Sequence, residues 1–175
     1  MTDTLSATMA AARPPRLEFD ALYRTTCADV YAYVVSLVGD AATAEDVTAL
    51  AFERAYRKRR SYDAKRGTPR QWLFSIARNA GLDELRRRKR SATLVPDAGD
   101  QVATADGAVD DAGAERTDAV RTAISSLHPR DRDLIALKFY AGLSNAEIAS
   151  TLGISESNAG TRLHRALGAL REAVA

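Results

Sequence analysis

The feature that most restricts the fold is a break in the spacing of the apolar residues. On both sides of residues 91–118, apolar residues recur every three or four positions, which is the spacing of amphipathic helices. The 28 residues of that stretch show no sustained period and are rich in Ala, Asp, Gly and Thr, a composition typical of a flexible linker. The pattern therefore predicts an all-α protein with two small helical domains, 17–90 and 119–175, joined by a flexible acidic linker, 91–118.

The residues before the first helical pattern show no targeting signal. Residues 1–16 lack the charged start and the continuous apolar core of a signal peptide, and we interpret them as a disordered tail. No stretch approaches the roughly 20 apolar residues that a membrane span needs. We therefore expect a cytoplasmic protein with no membrane insertion. Its single cysteine, Cys27, excludes an internal disulfide and lies in an apolar helical pattern, which favours a buried structural thiol.

Breaker residues divide the first domain into three helices. Gly39 is the expected C-terminal stop of the first helix, and Thr43 is the expected N-cap of the second. The second helix runs to the basic cluster at 57–60. The stretch at 61–69 contains Gly-Thr-Pro and predicts a loop, and a third helix is expected over 70–90.

Charge is strongly segregated along the chain. Residues 57–90 contain 13 Lys and Arg against three acidic residues, a net charge of +10, whereas 91–118 contain one Arg against seven acidic residues, a net charge of −6. Because few acids interleave with the basic residues, the first segment is suited to neutralising several phosphates of a nucleic acid. The acidic segment lacks a rigid scaffold, so no metal site is predicted at Asp106, Asp110 and Asp111.

Two features of the basic segment point to single-stranded nucleic acid. Tyr62 lies among basic residues in the predicted loop, where its ring is a possible stacking platform for an unpaired base. Asn79 lies seven residues before Arg86, so the two side chains share one helix face and could read a strand together.

The second domain contains a sequence typical of a helix-turn-helix, "LSNAEIASTLGISESNAGTRLHRAL". Ser144 and Glu147 have the spacing of a capping box, Gly153 supplies the backbone freedom that the turn needs, and Ser155 can cap the following helix. The capping box, the turn glycine and the second cap thus all stand at the spacing that a helix-turn-helix needs. This favours DNA binding over a helical hairpin of another kind. Helices in this domain are expected at 119–126, 130–140, 145–151 and 156–173.

The last helix separates into faces at about 100° per residue. Its core face carries Ala159, Leu163, Ala166, Leu167 and Leu170. The opposite face carries Ser157, Asn158, Thr161 and Arg165. Among these, Arg165 and Asn158 are the expected contacts to base edges, since Arg pairs with guanine and Asn with adenine.

The residues on the flanks of the same helix have less clearly defined roles. Arg162 is suited to a phosphate contact, whereas His164 is either a phosphate contact or a solvated surface residue. Gly160 also lies on a flank. It either allows DNA backbone or a neighbouring helix to approach closely, or is a tolerated small residue.

Two blocks of sequence resemble a known family. "AEDVTALAFERAYR", followed by "GTPRQWLFSIARNAGLDELRRRKR", is similar to region 2 of the extracytoplasmic-function (ECF) sigma factors of bacterial RNA polymerase, and "LHPRDRDLIALKFYAGLSNAEIASTLGISESNAGTRLHRALGALREAV" is similar to region 4. The blocks stand in the family's order, and the resemblance covers nearly everything from Leu17 onward. One departure is Ala49-Leu50, where family members often carry Gln-Glu or Gln-Asp.

The resemblance implies a function and a set of partners. The chain would bind bacterial core RNA polymerase at the beta-prime clamp and the beta flap, recognise and melt promoter DNA, and start transcription. It would contact the DNA both as duplex and as melted single strand, and associate with the nucleoid when in holoenzyme. The family implies a role in a stress or envelope response and control by an anti-sigma factor, and it implies no enzymatic activity, catalytic residue, metal or cofactor.

The resemblance also assigns roles to residues by position. Contact with the polymerase clamp falls to Glu45, Asp46, Phe52 and Arg54. Recognition of the minus-ten element falls to Arg59, Arg60, Tyr62, Lys65, Arg66, Asn79, Asp83, Arg86 and Arg87. Recognition of the minus-thirty-five element falls to Ser157, Asn158, Thr161, Arg162, His164 and Arg165.

Three other functions are alternatives to this one. A DNA-binding regulator that does not enter polymerase would explain the second domain but leaves the basic first domain unexplained. A nuclease would need clustered carboxylates or a histidine-based metal site on rigid elements, and the basic segment offers only Asp63, Asp83 and Glu84. A protein that merely sequesters polymerase would bind it without starting transcripts.

Overall fold

The computed structural model describes residues 17–94, 120 and 122–174, and all regular structure within these ranges is helical. The all-α prediction is therefore confirmed. The predicted tail, the acidic cluster at 106–111 and most of the predicted linker lie outside the described residues. The named helices are α1 (Phe19–Val38), α2 (Ala41–Lys58), α3 (Pro69–Leu94), α4 (Pro129–Phe139), α5 (Asn145–Leu152) and α6 (Glu156–Val174), with a 3₁₀ turn at Arg59–Ser61 and a short helical stretch at 122–126.

The turn between α1 and α2 confirms one predicted cap and corrects another. Gly39 ends α1 in the left-handed conformation, with φ of 75°, and its N–H donates to the Val35 carbonyl at 2.8 Å. The predicted N-cap of α2, Thr43, is wrong. Asp40 is the N-cap, because its backbone is extended and its carboxylate accepts a hydrogen bond from the Thr43 N–H at 2.9 Å. The helix therefore begins at Ala41.

Helices α1, α2 and α3 pack together as the first module. Small residues on α2, among them Ala44, Ala51 and Ala55, are fully buried and allow the helices to approach closely. The Tyr33 ring on α1 meets the Phe74 ring on α3 edge to face, with centroids 5.5 Å apart. This packing is the rigid support for the surfaces on α2 and α3.

Helix α3 is longer than its sequence pattern indicates. The Thr68 hydroxyl accepts from the Gln71 N–H at 3.2 Å, and Pro69 occupies the first helical position, so the helix has a well-defined start. It then continues through Leu94, four residues beyond the predicted end at 90. The basic cluster at 86–90 is consequently presented on a continuous helix.

Helices α4, α5 and α6, with the stretch at 122–126, form the second module. The capping box at the start of α5 is present in both directions, between Ser144 and Glu147. Gly153 ends α5 with φ of 67°, and the Ser155 hydroxyl accepts from the Asn158 N–H at 3.2 Å at the start of α6. The helix-turn-helix prediction and its three capping features are confirmed.

Candidate nucleic-acid and partner interfaces

A groove runs between α1 and α2 beside the residues assigned to the clamp. It has a volume of about 850 Å³, and Glu45 and Phe52 line it, together with three side chains that the sequence did not assign to an interface. These are Tyr23, Cys27 and Tyr31. Phe52, expected to contact the clamp, is only 6% exposed and belongs mainly to the core. Tyr23 is 46% exposed and packs edge to face on Phe52 at 4.8 Å, although its spacing along α1 is that of a core residue. Only the packing of α2 shows that this aromatic ring belongs to a surface.

The floor of this groove contains an unsatisfied polar atom. The Thr48 side chain is 7% exposed, and its hydroxyl has no hydrogen-bond partner among the described residues. The neighbouring Ala49 and Leu50 are exposed on α2, so the departure from the family pattern lies on the surface and leaves the core intact. Cys27, predicted to be buried, is only half-buried and reaches the groove.

Ion pairs connect Arg54, which is assigned to the polymerase clamp, with Asp83 and Arg86, which are assigned to the minus-ten element. Arg54 on α2 donates to the Asp83 carboxylate on α3 at 3.1 Å, and Arg86 donates to the other carboxylate oxygen at 3.2 Å. Asp83 thus holds Arg86 in place on the exposed face of α3, where Asn79 is also exposed. The arrangement makes Asp83 a positioning residue for basic groups that face solvent.

The loop between α2 and α3 has a fixed shape. The Tyr62 hydroxyl donates to the Gly67 carbonyl at 2.9 Å, and the ring lies edge to face against Trp72 at 5.5 Å. Gly67 has φ of 151°, a conformation that L side chains rarely adopt, so the position favours glycine. A Cβ there would also displace the end of the Gln71 side chain. Burial and, secondarily, the Asp63 charge raise the pKa of the Tyr62 hydroxyl.

An apolar recess lies beside this loop. Its volume is about 420 Å³, and it is lined mainly by carbon from the start of α1 and from the loop. Tyr62 and Ala64 form the loop side, and Leu22 and Pro69 contribute from the helices. Lys65 and Arg66 are exposed in the same loop, whereas the acidic Glu18 lines the recess itself. An apolar recess bordered by an aromatic ring has room for a flat ring to pack.

The basic side chains near this site differ in whether neighbouring residues hold them in one orientation. Arg60, Lys65 and Arg66 are exposed. Arg59 lies over the Tyr56 ring at 3.8 Å and donates to the Tyr56 carbonyl at 2.6 Å. Such an arginine is held in one orientation, whereas the exposed ones can adapt to a phosphate backbone.

The basic cluster at the end of α3 divides into structural and exposed groups. Arg87 forms a bidentate pair with Glu84, with both N–O distances at 2.8 Å, and stays 67% exposed. Its hydrogen bond and charge, joined by those of Arg88, lower the pKa of the Glu84 carboxyl. Arg88 turns inward to the Val38 carbonyl, at 3.3 Å, and to the Asp40 carboxylate. Arg88 therefore connects α3 to the turn between α1 and α2. Its place in a run of five basic residues did not indicate this structural role.

Helix α6 presents its predicted outward face to solvent. Ala159, Leu163 and Ala166 are buried, as the angular sorting requires. The outward residues and one flank residue are exposed: Ser157, Asn158, Thr161, His164 and Arg165. The second flank residue, Arg162, is held by the Asp131 carboxylate at 2.6 and 2.9 Å and is only 18% exposed.

Gly160 is not required by the packing of its helix. A Cβ at this position would have only the Asn145 side-chain nitrogen within 4 Å, at 3.6 Å, which is an ordinary van der Waals contact. The close approach of a neighbouring helix therefore does not explain the glycine. This leaves either a close approach of DNA or a tolerated small residue.

The second module also has an exposed apolar surface. Phe139 is 63% and Tyr140 is 41% exposed at the end of α4, where they line a recess of about 280 Å³ with Leu167 and Leu170 of α6. Exposed aromatic rings beside an apolar recess are typical of a protein-binding surface.

Comparisons with known proteins identify the family to which both modules belong. Residues 22–91 match the family model "Sigma-70 region 2", and residues 117–170 match "Sigma-70, region 4". Together these matches cover most of the chain. The chain belongs to the sigma-70 family.

Its curated relatives place it among the ECF sigma factors. The ECF RNA polymerase sigma factor SigL of Mycobacterium tuberculosis is 36% identical over 86% of this chain and 85% of its own length. The corresponding factor SigM of Bacillus subtilis is 30% identical over 86% of this chain and 91% of its own length. The resemblance stated from the two sequence blocks is therefore confirmed.

A solved structure shares the same fold. The sigma factor RpoE of Bartonella quintana, determined in complex with the anti-sigma factor NepR, aligns with a TM-score of 0.74 at 23% identity, covering 89% of this chain and 96% of RpoE. Within the part of the chain that the structure describes, no helix is long and apolar enough to cross a bilayer. In the same residues, no group of three or more potential ligands is arranged to hold a metal ion.

Proposed function

We propose that this ECF sigma factor binds bacterial core RNA polymerase and directs it to promoters, where it starts transcription without enzymatic activity of its own. The observation that carries the proposal is the presence on one chain of two exposed nucleic-acid surfaces, the basic face of α3 with its adjoining loop and the outward face of α6. A regulator that acts on duplex DNA alone has no use for the first of them. Acting with polymerase, the protein works in the cytoplasm, and in holoenzyme it is associated with the nucleoid.

The proposed polymerase contacts lie on both modules. Glu45, Asp46 and Arg54 on α2 contact the clamp, and Tyr23 extends this surface because its ring is exposed. Phe52, which is only 6% exposed, supports the surface from below by packing against the Tyr23 ring. The recess beside Phe139 and Tyr140 is the proposed seat of the beta flap, since it offers an apolar surface on the module that reads the upstream element.

The proposed contacts with the minus-ten element surround the apolar recess of the loop. Extruding a base from the duplex costs a few kcal/mol, and a recess that holds the ring offsets that cost. Arg60, Lys65 and Arg66 hold the strand by its phosphates, and Asn79 and Arg86 read along α3. Arg59, Tyr62, Asp83 and Arg87 complete the site, and the contacts of Tyr62 and Asp83 within the first module keep its shape.

The proposed contacts with the minus-thirty-five element lie on α6. Arg165 and Asn158 reach base edges in the major groove, Ser157 and Thr161 lie beside them, and His164 contacts phosphate. Arg162 joins them only by leaving its ion pair with Asp131, so its contribution is smaller than its position in the sequence indicates. An anti-sigma factor is the proposed regulator, in a stress or envelope response, as RpoE was solved with such a protein.

The decisive experiment is transcription from a library of genomic promoters by core polymerase with and without this chain. We expect a defined set of promoters to be transcribed only when the chain is present. Binding to duplex DNA without binding to core polymerase would favour a regulator that acts alone. Binding to core polymerase without any transcripts would favour a protein that sequesters the enzyme.

A further inference from the structure

The groove between α1 and α2 contains the one cysteine of the chain. Tyr23, Cys27 and Tyr31 are spaced four residues apart on α1, so they form a single stripe along that wall of the groove. Cys27 is half-buried between the two aromatic residues. Its hydrogen bond with the Tyr23 side chain raises the pKa of the Tyr23 hydroxyl, which therefore keeps its proton and can donate to the sulfur. The thiol is thus held at a defined place in the groove.

A second feature of the same groove, independent of the cysteine, indicates a missing ligand. Thr48 lines the groove from α2 and is only 7% exposed. Its buried hydroxyl has no hydrogen-bond partner among the residues that the structure describes. Buried hydroxyl groups are nearly always paired, because an unpaired one has lost its hydrogen bonds to water without replacement. A hydroxyl both donates and accepts, so a group with both functions, such as a peptide amide, is a suitable partner.

The two walls of the groove carry charges of opposite sign. Arg24 belongs to α1 and Glu45 to α2, and both side chains are exposed. Arg24 Nε makes a long hydrogen bond to the Asp20 carbonyl, at 3.3 Å, which leaves the terminal nitrogens of the guanidinium for a ligand. This pair suits a zwitterion, whose carboxylate would contact Arg24 and whose ammonium would contact Glu45. The groove volume, about 850 Å³, lies within the range of small-molecule sites, about 300–1,000 Å³.

The number of cysteines limits what Cys27 can form when it is oxidised. A chain with one cysteine cannot make an internal disulfide. A disulfide between two copies would need two half-buried sulfurs to come within about 2 Å of each other, and the walls of each groove keep them apart. A small thiol enters the groove without that obstacle. Disulfides in the cytoplasm, where this chain is proposed to act, are mostly transient and redox-sensing, which fits a reversible modification.

We propose that Cys27 is a site of reversible S-thiolation by a small zwitterionic thiol that carries an amide, and that the attached group occupies the groove and blocks docking of the polymerase clamp. The Cys27 thiolate attacks one sulfur of the disulfide form of this thiol. A disulfide forms between Cys27 and one half of the reagent, the sulfur–sulfur bond of the reagent breaks, and the other half leaves as a thiolate that takes up the proton lost by Cys27. One disulfide replaces another, so no further oxidant is needed. In the product, the amide pairs with Thr48 and the charged ends contact Arg24 and Glu45.

The occupied groove overlaps the surface proposed for the clamp. Glu45 lines the groove and the exposed ring of Tyr23 borders it, and both are proposed clamp contacts. A group that pairs with Glu45 and covers Tyr23 removes both contacts from the clamp, and reduction of the disulfide restores them. The effect on docking rests on the proposed function. The thiol site itself is a property of this chain, and it is tested without polymerase.

The first experiment follows the reaction of the full chain with glutathione disulfide by intact-protein mass spectrometry. We expect one glutathionyl group to be added and to be removed by a reductant, and no addition to Cys27→Ser. Thr48→Val removes the unpaired hydroxyl and Arg24→Gln removes the charge, so each should slow the reaction severalfold. Thr25→Val is the matched control, because it makes the same change on α1 outside the groove, where the hydroxyl is already bonded to the Ala21 carbonyl.

A second reagent separates recognition in the groove from simple access to the sulfur. The reagent is 2-hydroxyethyl disulfide, which has neither charge nor amide, and all three variants should react with it at the rate of the parent. Circular dichroism checks that each variant keeps its helices. Equal rates with glutathione disulfide in the parent, Thr48→Val and Arg24→Gln would overturn the groove as a binding site. Covalent dimers in place of the adduct, or a thiol that reacts only after unfolding in urea, would overturn the small-thiol occupant.

The second experiment measures binding to core polymerase before and after modification. The glutathionylated chain should bind on the order of tenfold more weakly than the reduced chain, because contacts at the centre of an interface carry much of its binding energy. A reductant should restore binding, and Cys27→Ser should bind equally well with and without the disulfide. Equal affinities of the two forms would overturn the effect on docking. If the reduced chain does not bind polymerase, the proposed function fails and the effect on docking with it, while the mass and the reaction rates still decide the thiol site.

Discussion

Arg165 is the residue at which promoter reading is most directly testable. It is exposed on the outward face of α6, and no acidic side chain among the described residues holds it in the way that Asp131 holds Arg162. We expect Arg165→Ala to reduce discrimination at one position of the minus-thirty-five element by about 1–3 kcal/mol, because a bidentate arginine–guanine pair is lost. Competition binding to duplexes with single base changes measures this.

The control for this prediction is Arg171→Ala, which removes an exposed arginine from the last turn of the same helix. It should lower affinity for all duplexes by a similar factor, since only general attraction to phosphate is changed. If Arg165→Ala behaves in the same way, the outward face of α6 has been assigned incorrectly.

At the scale of the element, α3 serves both as a framework helix and as a DNA-facing helix. Arg88 ties its C-terminal part to the turn between α1 and α2 through the Val38 carbonyl, Asp40 and Thr43. We expect Arg88→Ala to lower the free energy of unfolding by about 1–2 kcal/mol, because charged hydrogen bonds to a half-buried group are lost while solvent screens part of the effect. Urea unfolding followed by circular dichroism measures the change.

Arg87→Ala is the matched comparison, since Arg87 is the preceding residue and, among the described residues, pairs with Glu84 on its own helix. We expect Arg87→Ala to lower the free energy of unfolding by about 0–1 kcal/mol, as for other exposed ion pairs. In binding to single-stranded minus-ten DNA the order should reverse, with Arg87→Ala the weaker binder. Equal stability of the two variants would contradict the structural role of Arg88.

At the scale of the whole molecule, Glu147 connects the helix-turn-helix to the first module. Burial raises the pKa of its carboxyl, but hydrogen bonds from Ser144 and Thr68 and the Lys138 charge outweigh this and leave the pKa below its ordinary value of 4.5. Because the pKa is lowered by folding, the carboxylate stabilises the fold above about pH 4.5, and this stabilisation is lost as pH falls further.

We therefore expect Glu147→Gln to be less stable than the parent at pH 7 and to lose less stability between pH 5 and pH 3. Chemical unfolding at a series of pH values provides the comparison. Glu156→Gln serves as the comparison, since it removes the charge of an exposed acidic residue elsewhere in the second module. Parallel acid profiles for Glu147→Gln and the parent would contradict this role of Glu147.

Local patterns account for much of this protein. The spacing of apolar residues, the glycines at 39 and 153 and the Ser144–Glu147 box act within a few residues of the chain, so the helices and the helix-turn-helix could be predicted from sequence. The one wrong cap, Thr43 in place of Asp40, was a choice between two good capping residues three positions apart. The exposed face of α6 followed from the helical period alone.

What only the tertiary structure decided is how each polar side chain is used. Whether an arginine faces DNA or holds the fold depends on partners far away in the chain, as for Arg88 with Asp40 and Arg162 with Asp131. The junction between the modules depends on Asp133 meeting Tyr33, 100 positions earlier. Sequence by itself determined the helices, their faces and the family, because those follow from local periodicity and motif order. Long-range pairing of polar groups has no period along the chain, and so it appears only when the helices are packed.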